Sequence, residues 1–163
     1  VELTLPDPAE TLGEGWERID DNVLGEFQTS ILLANLEPGQ GVNQMMGTFD
    51  LPDEATAAAE GWDGDRYEFW VKGDEAEAFV WRSVWESEAE ASEFFAAFRA
   101  YDEGRFGESF TGGDDDLTLE TDGPVVRLVL VGDAVFYAQA PSVAEADQII
   151  DAMIAADEEA LAA

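Results

Sequence analysis

The sequence predicts an α+β fold: a two-layer sandwich in which an antiparallel sheet carries its two main helices on one face, preceded by an N-terminal helical segment. Three observations predict it. Strand-like runs come in neighbouring pairs, separated by Gly73-Asp74 and by Gly132-Asp133, which are hairpin signals and imply antiparallel pairing. Two capping boxes, Ser87-Glu88-Ala89-Glu90 and Ser142-Val143-Ala144-Glu145, each open an amphipathic run. The order from residue 66 is therefore ββα-βββα, each half closing with hairpin, capping box and helix.

Residues 1–21 contain Pro6, Pro8, Gly13 and Gly15 among acids and read as an extended arm before a single domain over 22–163. Val23, Leu24, Phe27, Ile31 and Ala34 recur near helical spacing, so a helix is expected over 22–36, stopped by Pro38, Gly39 and Gly41. The stretch 39–50 reads as a loop in which Met45 and Met46 form a packed plug. Pro52 and Gly61 bracket a short Ala-rich helix. Strands follow over 66–72 and 77–86, the first alternating Tyr67, Phe69 and Val71 with Arg66, Glu68 and Trp70. The first capping box starts a helix to about Asp102, with Ala91, Phe94, Phe98 and Tyr101 on one face. A loop over 104–116 leads to strands over 117–121, 124–131 and 134–139. The last helix buries a stripe of Val143, Ala146, Ile149, Ile150, Met153 and Ile154.

Composition narrows function. The 163 residues hold 38 acids, 7 bases, no His and no Cys, for a formal charge of −31. Without Cys there are no disulfides, thiolate nucleophiles or sulfur-bound metals. Without His there is no Ser-His-Asp triad and no usual zinc site. The charge argues against nucleic acid and anionic lipid as partners, because both are gripped by Lys and Arg. No stretch approaches 18 consecutive apolar residues, so direct membrane insertion is not expected. An apolar fraction of 46% separates the chain from acidic disordered segments.

On a surface of roughly 8,000 Å² the carboxylates stand about 14 Å apart. Their repulsion sums in dilute buffer and nearly vanishes in molar salt, where the Debye length is about 3 Å. Lys72 is the single Lys beside six Arg. This carboxylate-rich, Lys-poor surface reads as halophilic, with folding that depends on salt. Val in place of Met at position 1 suggests a processed or excised piece, from which any leader has been removed.

Several segments taken together resemble a known group: Leu12-Gly13-Glu14-Gly15-Trp16, Asn22-Val23-Leu24-Gly25-Glu26, Glu60-Gly61-Trp62-Asp63-Gly64-Asp65-Arg66, and the run Val80 to Ala91 (VWRSVWESEAEA). They are similar to the C-terminal region of haloarchaeal secreted surface proteins that carry an upstream zinc-peptidase-like (HExxH) segment. The similarity spans roughly residues 5–150. The zinc motif does not carry over, since this chain has no His. The resemblance implies a location outside the cell or at its surface, and an accessory role beside an upstream domain of the same protein or another surface protein.

Four sets of residues invite a chemical reading. Gly61, Trp62, Asp65 and Arg66 read as a structural turn: helix stop, core plug, and side chains that fix the turn by hydrogen bonds. Ligand binding is the alternative there, and an EF-hand is argued against by the absence of its remaining oxygen ligands. Asp114, Asp115 and Asp116 could hold a hard cation, although three successive side chains point apart and a solvated loop is the plainer reading. Trp70, Trp81 and Trp85 lie on adjacent strands, either packed in the core or exposed as a partner-binding row. Among 38 acids some pair meets the spacing of a glycosidase by chance, so a carboxylate-based hydrolase has little support. No catalytic residue, cofactor or firm metal ligand emerges. The expected function is that of a non-catalytic accessory or scaffold domain. The alternative is a stand-alone binding module that uses an aromatic sheet face.

Overall fold

The computed structural model describes residues 3–35, 42–43 and 48–162. In chain order the elements are α1 (Pro8–Leu12), β1 (Trp16–Asn22), α2 (Gly25–Ala34), β2 (Val42–Asn43), β3 (Thr48–Phe49), α3 (Asp53–Ala59), β4 (Trp62–Lys72), β5 (Ala76–Trp85), α4 (Glu88–Phe106), β6 (Thr111–Gly112), β7 (Asp116–Glu120), β8 (Val125–Val131), β9 (Ala134–Ala140) and α5 (Val143–Ala162). Seven strands form one antiparallel sheet in the order β1-β4-β5-β9-β8-β7-β6, and β2 and β3 pair separately. The fold is α+β, as the paired strand runs predict.

The local signals act as physical chemistry requires. Ser87 Oγ accepts from the Glu90 backbone N–H at 3.3 Å and donates to the Glu90 carboxylate at 2.9 Å, which caps α4. Ser142 and Glu145 repeat this at α5, at 3.3 and 2.8 Å. The β8–β9 hairpin turns on Gly132 at φ 60°, and its Val131–Ala134 pairing leaves a two-residue loop. The Met45-Met46 plug lies outside the described residues.

Two expectations need correction. Residues 3–21 are not a free arm. β1 pairs with β4 along the sheet edge, and Leu3, Leu5 and Trp16 are buried. Asp7 starts α1 by accepting from the Ala9 and Glu10 N–H groups, which ties this segment to local structure in spite of its prolines. Nor do the two main helices share a face. Ala146, Ile149, Ile150 and Met153 of α5 pack on Trp70, Val80, Phe136 and Ala138. Phe94, Phe95 and Phe98 of α4 pack on Trp81, Trp85, Leu128 and Tyr137 on the opposite side. The sandwich thus carries a helix on each face of the sheet. The reason lies in the central strands: Ala134–Ala138 are buried without interruption, and such a strand needs cover on both sides.

The faces differ in character. Under α5 the sheet presents small residues, Ala78, Ala134, Ala138 and Ala140, together with arginines. Arg82 pairs with Asp157 of α5, and Arg127 with Asp147 of α5 and Asp116 of β7. Under α4 the sheet is aromatic. Trp85 stacks on Phe94 with ring centroids 4.5 Å apart, and Trp81 meets Phe94 and Phe98 edge-on at 5.5 and 5.3 Å. At the sheet edge, the β1–β4 register shifts between Arg18 and Asp20, a bulge that leaves Ile19 59% exposed.

Candidate functional site

Asp65 organises the aromatic side of the sheet. Its carboxylate is buried and takes four N–H groups: Leu24 and Gly25 backbone, both at 2.8 Å, and the indoles of Trp62 at 3.0 Å and Trp81 at 2.9 Å. A buried carboxylate is tolerable only when its oxygens are saturated in this way. One side chain therefore docks the start of α2, holds Trp62 and orients Trp81. Glu68 does related work on the other face, accepting from Trp70 Nε1 at 2.7 Å and Arg18 Nη1 at 2.9 Å.

The predicted turn residues thus have defined roles, at different places. Gly61 sits at φ +79°, and a Cβ there would lie 2.3 Å from the Glu90 carboxyl carbon. Its carbonyl accepts from the Glu86 N–H at 2.8 Å. Arg66 lies within β4 and pairs with Asp21 of β1, bracing the sheet edge. The three tryptophans are not an exposed row: Trp70, Trp81 and Trp85 are 0%, 3% and 1% exposed, and Trp70 is on the α5 face while the others are under α4. Ser83, set between Trp81 and Trp85, accepts from Trp85 Nε1 at 3.1 Å. Asp114, Asp115 and Asp116 do not converge either. Asp116 pairs with Arg127, the Asp115 and Asp116 carbonyls accept backbone N–H groups, and among the described residues no group of three acids is placed to hold a metal ion.

What the structure does open is a groove of about 490 Å³ between α2 and α4, over β4, β5 and β9. Its floor is Tyr67 and Phe69 of β4, Phe79 of β5 and Tyr137 of β9. The registers Tyr67–Trp81, Phe69–Phe79 and Trp81–Tyr137 place these rings side by side. Phe79 is the hub, with centroids 5.6 Å from Tyr67 and 6.1 Å from both Phe69 and Tyr137. Tyr101 and Phe98 wall it from α4, and Leu24 and Leu32 from the α2 side. Among the described residues, Glu77, Gln139 and Arg105 bring charged and amide side chains to it. An apolar hollow of this size with few polar groups is the usual form of a ligand site. A second hollow, of about 480 Å³ beside Phe27, Ser30 and Leu51, has one aromatic wall among the described residues.

Behind the groove sits a buried polar set. Asp102 of α4 is fully buried, and neither carboxylate oxygen has a hydrogen bond of ordinary geometry. Arg105 Nη1 is 3.6 Å away. Burial pushes the Asp102 carboxyl up to about 6, with Tyr137 and Arg105 opposing the rise. The Tyr137 hydroxyl, also buried, lies beside Asp102 without a hydrogen bond of ordinary geometry and is raised well above its ordinary range by burial and then by Asp102.

Sequence reasoning missed the groove. The alternation of Tyr67 with Phe69, and of Phe79 with Trp81, was available as a signal. Locating the site also requires the register of the β4–β5 hairpin and the line that α4 takes across the sheet.

Comparison with known proteins bears on fold and family. The fold is similar to that of the extracellular domain of PknH from Mycobacterium tuberculosis, with a TM-score of 0.63 and 10% identity, over 95% of this chain and 93% of that chain. At that identity the likeness shows the fold alone. No curated protein matches the sequence. Among the described residues no helix is long and apolar enough to cross a membrane. The family described as "Domain of unknown function (DUF8575)" matches residues 10–150, and the chain belongs to that family.

Proposed function

We propose that the chain is a non-catalytic binding domain, accessory to a secreted or surface-displayed halophilic protein, and that it holds a small, largely apolar ligand in the groove between α2 and α4. One observation carries the reading. Four of the five tryptophans are spent on the core, while Tyr67, Phe69, Phe79 and Tyr101 are left only half-buried around a hollow of about 490 Å³. Burying these faces under a ligand would gain about 25 cal/mol per Å². Binding is favoured over hydrolysis because Asp65 and Glu68 are saturated by N–H donors and lie on opposite faces of the sheet. The extracellular setting draws support from the sequence resemblance and from the extracellular source of the similar fold.

The test is titration with the neutral fluorophore N-phenyl-1-naphthylamine in 3 M KCl. The native chain should bind one molecule. Gln139→Trp, which fills the groove from its half-buried rim, should abolish binding without loss of fold by circular dichroism. Equal binding by both proteins would refute the groove. A second reading, docking against a neighbouring domain, is favoured by the exposed apolar residues Ile19, Val23 and Phe27 at the β1–α2 corner. Under that reading Gln139→Trp would leave partner capture intact, and Phe27→Glu would remove it.

A further inference from the structure

We infer that the occupant of the groove is a lipophilic organic cation, an ammonium centre carried on an apolar body. The inference rests on the binding reading above and adds the charge of the ligand. Aromatic rings line the floor, and a cation seated over a ring face is drawn to the ring quadrupole. Phe79, with Tyr67, Phe69 and Tyr137 all within 6.1 Å of its centroid, makes an aromatic bowl rather than a single platform.

The polar groups around the bowl favour the same sign. Glu77 is exposed on β5 and lines the groove. Arg105 is the one basic side chain lining it among the described residues, and it is drawn toward other groups. Its Nη1 is 3.6 Å from Asp102 and its guanidinium lies 4.6 Å over the Phe106 ring. An anion would have to compete with Asp102 for that guanidinium while facing Glu77 and a molecule of formal charge −31. A neutral ligand would gain burial but leave Glu77 unanswered. In molar salt the long-range field is screened within about 3 Å, so discrimination falls to direct contact with the rings and Glu77. Hydrated K⁺ gains little from ring faces, because it would have to shed its water to reach them.

Three probes of similar size separate the possibilities: benzyltrimethylammonium, neutral N-benzylacetamide and anionic phenylmethanesulfonate. Each is titrated into the full chain at 3 M KCl and followed by amide shifts of the groove residues in NMR. The cation should bind about tenfold or more tighter than either other probe. Glu77→Gln, an exposed position that the fold does not need, should weaken the cation roughly threefold and leave N-benzylacetamide unchanged. Equal or tighter binding of the neutral or anionic probe would overturn the charge assignment and leave the groove standing. An unchanged cation affinity in Glu77→Gln would also overturn it. Failure of all three probes to shift groove resonances would take down the groove with it.

Discussion

The indole of Trp81 donates to the buried carboxylate of Asp65 at 2.9 Å, and that bond couples the aromatic core to the docking of α2. Removing the acceptor strands two indoles and two backbone N–H groups. Asp65→Ala should therefore cost at least about 3 kcal/mol. Trp81→Phe should cost about 2–4 kcal/mol, from one lost donor and reduced packing on Phe94 and Phe98. Because the two share one bond, a double-mutant cycle by urea denaturation in 3 M KCl should give a coupling of about 1–3 kcal/mol. Additive effects would show that the bond does not hold the two elements together.

Gly61 is constrained twice, by its φ of +79° and by the Glu90 carboxyl where a Cβ would go. Gly61→Ala should cost about 1–3 kcal/mol in thermal or chemical unfolding. Adding Glu90→Ala removes the crowding but not the backbone strain, and also takes away part of the α4 cap. The double variant should therefore recover only part of the loss relative to Glu90→Ala alone. Full recovery would mean that the backbone conformation costs nothing.

Asp102 makes stability depend on pH in the less common direction. Its carboxyl stands at about 6 in the fold against an ordinary 3.8, because burial penalises the ion. Between those values the folded chain keeps a proton that the unfolded chain has lost. Stability therefore falls as pH rises through that window, and the penalty is complete above it. Its size is on the order of 2–3 kcal/mol. Asp102→Asn should remove it, so the difference between variant and native chain should shift in the variant's favour from pH 4 to pH 7. The comparison belongs in 3 M KCl, where surface repulsion is screened. A difference that stays flat across the range would show that Asp102 is not held protonated.

Salt should decide whether the chain folds at all. All six arginines are ion-paired, engaging seven acids among the described residues (Asp21, Glu68, Asp102, Glu103, Asp116, Asp147 and Asp157), out of 38 in the chain. Seven basic side chains against 38 acids leave a large excess of negative charge, whose self-repulsion works against the compact state. Circular dichroism should show a largely unfolded chain at 0.1 M KCl and a folded one at 3 M. A stability that does not change between those salts would remove the halophilic reading.

Much of the fold was legible because its signals are local. Ser87 and Ser142 mark helix starts through bonds within one turn, and Gly132 marks a hairpin through its own φ. Placement of the helices was harder to read. Val125, Val126, Leu128 and Val129 are apolar on both faces of β8, and that run, interrupted only by Arg127, was the sign that both sides are covered. The arm was misread because prolines and glycines outweighed Trp16, whose burial depends on strand β4 more than forty residues away. The site was hidden for a similar reason. Nothing near Tyr137 in sequence indicates that Tyr67 and Phe79 will stand beside it, since strand register and helix path are long-range properties.

Mutual repulsion keeps acidic molecules apart in dilute solution, but brine switches that protection off just when an unpaired strand could recruit a neighbour. The kink at Ile19 breaks the run of free amides and carbonyls along β1, and at the far border β6 is only two residues long. Both margins are thus poor templates for stacking one copy against the next, by shape alone and at any ionic strength.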